Sequence, residues 1–391
     1  MHYLDHNATS PLRPESLSAV THALAVGGNP SSIHTRGRAA RAVMEEAREK
    51  VAVLAGARPA EVIFTSGATE ANDLALFGAV EGSLAEGEVR ITRVFVSGIE
   101  HSSVLATVDR LADRFPWLRV SRLSVTADGA IDLEGLRVEL REGKGRALVA
   151  VMAANNETGV VQPIAEVSKL VREAGALLLV DAVPAAGKTA LDFSLCDYMV
   201  LSAHKIGGPQ GAGALVVRDG VPLQPQLVGG GQQKGLRAGC ENLSGIAGFG
   251  AAAHTLADGD GERARIVHLR DHFEIALKQA APEAVIFGVK QDRLCSTSCF
   301  AIPGVTAETA LMALDLDGVM MSSGSTCSSG KTKISHVLAA MGVEEALAAC
   351  ALRASFGWSS TMEDVNAAVA SLIKLCERVQ SQKNHSKEEA A

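Results

Sequence analysis

The sequence lacks several features that would place the protein in a specialised class. No apolar run approaches the roughly 18 residues that a membrane helix requires, and the first residues, MHYLDHN, lack the basic and apolar regions of a signal peptide. The chain also has no basic excess, because its formal net charge is -7 at pH 7. We therefore expect a cytoplasmic protein that binds neither membranes nor nucleic acid.

Cysteine is present without the spacing that disulfides or metal sites need. The seven cysteines are scattered, and the closest two, Cys295 and Cys299, lack two further ligands beside them. Neither a disulfide framework nor a metal site is predicted.

The chain does contain enough apolar sequence for a large core. Its 391 residues are 47% apolar and 21% charged, which is typical of a globular protein with two domains. Short apolar runs alternate with amphipathic helical stretches through its middle, which predicts an α/β fold with a mostly parallel sheet and crossover helices. The predicted strands cover residues 62–65, 94–97, 147–152, 177–180, 199–202 and 214–217.

The pattern changes from about residue 251. Long helical segments at 261–280 and 361–380 flank short apolar runs, which predicts a smaller α+β unit. We expect a large domain over residues 15–255 and a small domain formed by residues 1–14 and 256–380. The polar residues 381–391 are predicted to form a disordered tail.

Polar residues follow five of the predicted strands. Ligands of such sheets bind beyond the carboxyl ends of the strands, so we expect these residues to converge on one pocket. The five clusters are Ser66 to Thr69, His101, Asn155 to Glu157, Asp181, and Ser202 to Lys205.

Lys205 is the most informative of these residues. It follows a predicted buried strand and precedes a glycine-rich turn, and such an amine suits a Schiff base with pyridoxal phosphate. Asp181 ends another buried strand, where a carboxylate can keep the pyridinium nitrogen protonated. Taken alone, a lysine in such a loop is more often solvated, and such an aspartate is more often a cap or turn residue.

Residues 65–72, with the sequence TSGATEAN, run from a strand into a helix. Backbone N–H groups at the helix start, together with the hydroxyls of Ser66 and Thr69, can bind a phosphate. The alternative is an ordinary helix N-cap, and the segment alone favours neither interpretation.

The ordered set of motifs resembles the cysteine desulfurases, which are fold-type I pyridoxal-phosphate enzymes of aminotransferase class V. The resemblance implies a large domain with a mostly parallel seven-stranded sheet and a smaller α+β domain. It covers nearly the whole chain, through the motifs at 3–9, 28–32, 64–72, 100–101, 155–159, 181, 202–208, 229–242 and 322–327.

This resemblance assigns roles residue by residue. Lys205 would carry the Schiff base, and His101 would stack on the cofactor ring and transfer protons. Asn155 would contact cofactor and substrate, and Arg353 would bind the substrate carboxylate through its guanidinium. The other cofactor contacts would come from Ala68, Thr69, Asp181, Ser202, His204 and Cys240.

Cys327 separates a desulfurase from a transaminase. It lies in SSGSTCSSG, at 322–330, whose composition indicates a flexible loop and not the apolar packing that surrounds most cysteines. The resemblance implies that Cys327 takes the sulfur of L-cysteine, leaving L-alanine and an enzyme persulfide. The motif, with Ser335-His336-Val337 after it, matches the housekeeping and nitrogenase-associated group, whose loop can pass sulfur to an iron–sulfur scaffold or another acceptor protein.

The resemblance also implies a homodimer in which residues 229–242 reach the partner's site. Two positions depart from the family pattern there and at the cofactor ring. Pro184 replaces a glutamine that donates to the ring oxygen, and Cys240 replaces a threonine that reaches the neighbouring subunit's phosphate. We expect weaker cofactor retention and an unchanged reaction. The alternatives are a selenocysteine lyase or another class V enzyme, and a non-catalytic protein with a degraded site.

Overall fold

The computed structural model describes residues 1–257, 259–324 and 334–389, with residues 379–389 described by their backbone only. The strands are β1 (His2–Tyr3), β2 (Val62–Thr65), β3 (Ile91–Ser97), β4 (Arg119–Leu123), β5 (Arg146–Met152), β6 (Leu177–Asp181), β7 (Tyr198–Ser202), β8 (Gly213–Val217), β9 (Val285–Ile286), β10 (Thr297–Ala301), β11 (Val319–Met320) and β12 (Ala351–Ser355). The helices are α1 (Pro14–Val26), α2 (Thr35–Ala55), α3 (Ala68–Gly82), α4 (Ser102–Arg114), α5 (Leu133–Arg141), α6 (Ile164–Glu173), α7 (Leu243–Thr255), α8 (Asp260–Ala280), α9 (Ala307–Leu316), α10 (His336–Ala340), α11 (Glu345–Ala348) and α12 (Met362–Glu389).

The central sheet has seven strands in the order β2-β8-β7-β6-β5-β3-β4. Strand β8 is antiparallel to β2 and β7, and the other neighbours are parallel. The chain order jumps across the sheet, so helices must connect the parallel strands over its faces. This confirms the predicted α/β fold with a mostly parallel seven-stranded sheet.

The middle strands are apolar throughout because both of their faces are covered. Along β6, Leu178 and Val180 belong to one core cluster, while Leu177 and Leu179 belong to another on the opposite face. Helices α2, α5, α6 and α7 contribute to the first cluster, and α3 and α4 contribute to the second. Continuous apolar runs are what a sheet covered on both sides requires.

A second apolar core lies in the C-terminal part of the chain. It joins Leu4 to residues of α8, α9, β10, β12 and α12. Strand β10 pairs antiparallel with β9 and β12, and β1 pairs parallel with β11. The N-terminal strand therefore packs with the C-terminal core, although the exact domain boundaries stay a prediction.

The last helix differs from the sequence prediction. We predicted a disordered tail over 381–391, but α12 continues as helix to Glu389, and residues 390 and 391 lie outside the described part. The segment from Ser381 contains lysine, glutamine and glutamate and neither glycine nor proline, so nothing in it stops a helix. Among the residues that the structure describes, no helix has the length and apolar character needed to cross a membrane.

Candidate active site

A cavity of about 660 Å³ lies beyond the carboxyl ends of the parallel strands. This volume is within the range typical of small-molecule sites. Eight of the residues predicted from the sequence line it, namely Ala68, Thr69, His101, Asp181, Ser202, His204, Lys205 and Arg353.

Lys205 enters the cavity from the turn that directly follows β7. It ends the short 3-10 helix Ala203–Lys205, and its Nζ donates to the backbone carbonyls of Asn7 at 2.5 Å and Ala8 at 2.8 Å. The N-terminal segment therefore lies against the amine. The turn requires glycine, because Gly207 has a φ of +86° and a Cβ there would lie 2.5 Å from Arg13 Cγ.

Asp181 ends β6 and is buried beside the cavity. Its Oδ2 accepts from Asn72 Nδ2 at 3.1 Å and its Oδ1 accepts from the Val183 N–H at 3.0 Å, so the carboxyl orientation is fixed. Burial raises the pKa of Asp181, and the two hydrogen bonds oppose that rise. A cationic group in the cavity would offset the cost of burying this charge, so the carboxyl suits a protonated ring nitrogen.

His101 stands at the start of α4 and caps that helix with its own ring. Its Nδ1 accepts from the Ser103 N–H at 3.1 Å. Burial lowers the pKa of His101, and the Asp181 carboxylate opposes this effect. A neutral ring whose Nδ1 accepts must carry its proton on Nε2. The cap therefore selects one tautomer.

The start of α3 suits a phosphate. The residue before the helix, Gly67, has no side chain, so within the described residues the first N–H groups of α3 are left without a side-chain cap. Gly213 of β8 packs directly against Gly67, and a Cβ there would lie 2.7 Å from the Gly67 backbone. His204 lies on the same cavity, with its Nδ1 3.2 Å from Thr9 Oγ1, and burial lowers the pKa of His204 to about 4.

Arg353 lies on β12, across the cavity from the sheet. Its Nη2 donates to Asp5 Oδ1 at 2.8 Å and its Nη1 donates to the Asn156 carbonyl at 3.2 Å. Its backbone pairs with Ser322, at the start of the segment that leads to Cys327. Within the described residues its buried Nε has no hydrogen-bond partner. A fixed guanidinium with an unused donor is suited to an anionic ligand.

Two predicted residues within the described part of the chain do not line this cavity. Asn155 is fully buried behind the wall, where its Nδ2 donates to the Ile99 carbonyl at 3.1 Å and its Oδ1 accepts from the Glu157 N–H at 2.9 Å. Asn156 lines the cavity in its place, and the contact of Asn155 with cofactor and substrate stays a prediction. Cys240 is exposed and does not line the cavity of its own chain. Its predicted contact concerns the neighbouring subunit and stays a prediction.

Cys327 lies outside the described residues. Gly324, three positions before it, lines the cavity.

The sequence interpretation gave no role to Asn7 and Lys188, which both line the cavity. Asn7 donates through Nδ2 to Thr297 Oγ1 at 2.9 Å, and its Oδ1 accepts from Lys188 Nζ at 3.2 Å. Burial lowers the pKa of Lys188 to about 8. The position of Lys188, seven residues after the end of β6, was the available signal. No local sequence signal indicates the contact of Asn7 with Thr297, which is 290 residues away in the sequence.

These residues fit pyridoxal phosphate. A lysine amine, a buried carboxyl suited to a cation and an uncapped helix start face one cavity of sufficient volume. Among the residues that the structure describes, no cluster of histidine, cysteine, aspartate or glutamate is suited to hold a metal ion.

Comparison with known proteins supports this assignment. The family model "Aminotransferase class-V" matches residues 2–368. A cysteine desulfurase from Cereibacter sphaeroides is 42% identical over 366 residues, covering 92% of each chain. The X-ray structure of a NifS-like protein from Rickettsia africae ESF-5 has 31% identity and a TM-score of 0.86, covering 96% of this chain and 99% of that one. The structure described as SspA in complex with cysteine has 28% identity and a TM-score of 0.80, covering 92% and 100%. The chain thus belongs to the class V aminotransferase family, in its cysteine desulfurase branch.

Proposed function

We propose that the protein removes the sulfur of L-cysteine, producing L-alanine and a persulfide on Cys327. The observation that carries this proposal is the content of one cavity. An amine (Lys205), a buried carboxyl (Asp181) and a guanidinium (Arg353) line it, and so does Gly324, which stands three residues before the cysteine. A related cysteine desulfurase and a related structure in complex with cysteine support the same substrate.

The chain's own residues would divide the work between binding and proton transfer. When bound, pyridoxal phosphate supplies the electron sink that weakens bonds around the substrate Cα. The uncapped start of α3, with Thr69, Ser202 and His204, would hold its phosphate, and Asp181 would hold a proton on its ring nitrogen. Lys205 would bind it covalently through Nζ. Arg353 would orient the substrate carboxylate.

Proton transfer would fall to Lys205 and His101. The Lys205 amine would take the proton from the substrate Cα. It would do so in its neutral form, because only an unprotonated amine can act as a base. His101 would offer its Nε2 proton, since its Nδ1 is engaged with the Ser103 N–H. The cap on α4 therefore orients a proton donor toward the cavity that His101 lines.

Cys327 would act as the sulfur acceptor. Its sulfur forms a bond to the substrate sulfur while the substrate C–S bond breaks, and that bond's electron pair stays on the β-carbon. The β-carbon takes up one proton and becomes the methyl group of alanine. L-cysteine and one thiol thus give L-alanine and one persulfide, with no external oxidant.

The sulfur would then pass to an acceptor protein, either an iron–sulfur scaffold or a thiolation partner. We also propose a homodimer in the cytoplasm. Leu227 and Val228 lie beside the segment 229–242 that is expected to reach the partner, and they are 49% and 79% exposed. Exposed apolar residues at this place support a subunit contact.

The test is release of alanine and sulfide from L-cysteine in the presence of dithiothreitol. We expect Cys327→Ala and Lys205→Ala to lose activity, and the visible absorbance of the bound cofactor to disappear in the lysine variant only. Cys376→Ala and Lys50→Ala serve as matched controls, since Cys376 lies in the C-terminal core and Lys50 is on α2. Turnover that survives in Cys327→Ala, or activity on selenocysteine without activity on cysteine, would contradict the proposal.

A further inference from the structure

One carboxylate lies against both ends of the segment that contains Cys327. We propose that Glu157 is a positioning residue that joins Gly324 to Ser335 and so sets where the intervening residues, including Cys327, are presented to the cavity. The inference rests on the proposed function of Cys327 as the sulfur acceptor, but its structural basis lies in described residues alone.

The first contact is with Ser335, on the C-terminal side. The Ser335 hydroxyl donates to Glu157 Oε2 at 2.5 Å, and the same oxygen of serine accepts from the Leu338 N–H at 3.1 Å. Ser335 is thus the N-cap of α10 as well as the partner of the carboxylate. One hydroxyl therefore couples the start of a helix to Glu157.

The second contact is with Gly324, on the N-terminal side. A Cβ at Gly324 would lie 2.3 Å from the same Glu157 Oε2 and 3.0 Å from its carboxyl carbon. The Gly324 backbone therefore lies directly against the carboxylate, and a side chain at this position would displace it. A single oxygen atom touches residues 324 and 335, which are eleven positions apart in sequence.

Glu157 is itself rigidly held. It is 4% exposed, and its backbone N–H donates to Asn155 Oδ1 at 2.9 Å. Burial raises the pKa of Glu157, while the Ser335 hydroxyl and the charges of His336 and Arg353 oppose that rise. The buried side chain of Asn155 does not line the cavity, but it holds the backbone of Glu157 in place.

Two further links hold the same ends to the cavity. Ser322 and Arg353 exchange backbone hydrogen bonds of 2.6 and 3.2 Å, and His336 Nε2 lies 2.9 Å from the Glu100 carbonyl. The ends of the segment are thus fixed relative to Arg353 and to the residue before His101. Without the Glu157 carboxylate, the Ser322–Arg353 and His336–Glu100 contacts would remain. The direct connection between Gly324 and Ser335 would be lost.

The consequence concerns sulfur transfer and not substrate binding. Glu157 does not line the cavity, so removing its carboxylate leaves the substrate contacts in place. Cys327 would sample a wider set of positions and would meet the substrate sulfur less often. Positioning residues hold reacting groups within about 0.5 Å of the productive geometry. Loss of that positioning commonly lowers a rate by about 10-fold to 100-fold.

The experiment compares Glu157→Leu, Glu157→Gln and Ser335→Ala in the cofactor-loaded protein. Leucine cannot accept from Ser335, whereas glutamine retains a carbonyl oxygen that can. We expect Glu157→Leu and Ser335→Ala to slow persulfide formation on Cys327 by about tenfold or more, measured in a single turnover by mass spectrometry after alkylation. Glu157→Gln should restore most of the rate. The KM for L-cysteine and the cofactor absorbance should stay close to wild type.

Thr361→Ala is the matched control. Thr361 Oγ1 also accepts from the backbone N–H three residues later, that of Asp364, but it lies at the start of α12. The control should reproduce the loss of helix capping without slowing persulfide formation. A double variant, Glu157→Leu with Ser335→Ala, should be no slower than either single variant, because both remove the same contact.

A second readout does not depend on turnover. The alkylation rate of Cys327 by iodoacetamide without substrate should change in Glu157→Leu and Ser335→Ala and return toward wild type in Glu157→Gln. Equal defects in the leucine and glutamine variants, or unchanged alkylation and persulfide rates in all three, would overturn the inference. Failure of the proposed function appears differently, as turnover that persists in Cys327→Ala.

Discussion

The two sides of the active-site cavity are built in different ways. On the sheet side, Asp181 and Ser202 end buried strands, and Lys205 lies three residues after the second of these. Asp181 is held by the N–H of Val183, two residues on, and by Asn72 of helix α3. On the opposite side, Asn7 and Arg353 are held by partners 290 and 348 residues away in sequence. The sheet side is thus fixed when its strands pair, whereas the opposite side requires the N-terminal segment and the C-terminal core to meet.

The largest expected effect lies on the sheet side. Asp181→Asn keeps the shape of the residue but removes the negative charge that would balance a protonated ring nitrogen. We expect kcat/KM for L-cysteine to fall by at least about 100-fold, as is typical when a buried electrostatic group of a catalytic site is lost.

Asp197→Asn provides the matched control for that variant. Asp197 is also a partly buried aspartate beside β6, but its Oδ2 accepts from the Leu178 N–H and its Oδ1 pairs with Arg218, away from the cavity. It should alter stability and leave kcat/KM nearly unchanged. Similar losses in both variants would mean that Asp181 acts only through folding.

A smaller effect is expected on the opposite side, from Arg353→Lys. Lysine keeps the charge but lacks the planar fork that can hold Asp5, the Asn156 carbonyl and a substrate carboxylate together. We expect KM for L-cysteine to rise and kcat/KM to fall by about 10-fold to 100-fold. Steady-state kinetics measure this directly.

Arg293→Lys is the corresponding control, because Arg293 forms a bidentate salt bridge with Glu274, at 2.7 and 2.9 Å, outside the cavity.

Asp5→Asn separates the orientation of the Arg353 guanidinium from its charge. It should loosen the guanidinium without removing it, and a KM as high as that of Arg353→Lys would show that orientation, and not the charge alone, governs binding.

The same contrast explains what the sequence predicted well. Residues such as Asp181 and Lys205 stand directly after apolar runs, so their place at the strand ends follows from periodicity. Strand β4 was missed because it is an edge strand in which only Leu123 is buried, and it has no apolar run to detect.

The opposite side could not be read in this way. Its residues have their positions set by contacts between distant parts of the chain, and no local pattern encodes such contacts. Asn155 shows the converse difficulty, because its motif was recognised and its neighbour Asn156 lines the cavity. A motif locates a turn more reliably than it locates the direction of each side chain in that turn.

Acid should weaken both sides through buried histidines. Burial lowers the pKa of His6, in the N-terminal segment, to about 3, and that of His204, on the sheet side, to about 4. Below the ordinary histidine pKa of about 6.5, these two histidines are protonated in the unfolded chain but stay neutral in the folded protein. The free energy of unfolding therefore falls as the pH drops. Each group contributes a slope of at most about 1.4 kcal/mol per pH unit, between about pH 6.5 and its folded pKa.

Urea unfolding of the cofactor-free protein at pH 7, 6 and 5 measures this slope, because a bound phosphate would raise the pKa of His204. The variant His6→Asn should be less stable at pH 7, because Ser10 and Ser360 lose a ring partner, but its stability should fall less steeply with acid. Parallel curves for wild type and variant would contradict the assignment of a neutral buried His6. An exposed histidine, His22, supplies the control through His22→Asn.

The smallest expected effect tests a contact between subunits. Cys240 is exposed on its own chain, in a segment where the family has a threonine whose hydroxyl reaches the partner's phosphate. A hydrogen bond to a charged group contributes about 1.5 to 3 kcal/mol, and the thiol of Cys240 is already a weak donor, so Cys240→Thr should tighten cofactor binding by about tenfold. Titration of the cofactor-free protein with pyridoxal phosphate gives the dissociation constant.

Cys240→Val has the shape of threonine without the hydroxyl and should not tighten binding. If valine and threonine act alike, shape and not hydrogen bonding decides, and if neither changes the constant, the segment does not reach the phosphate.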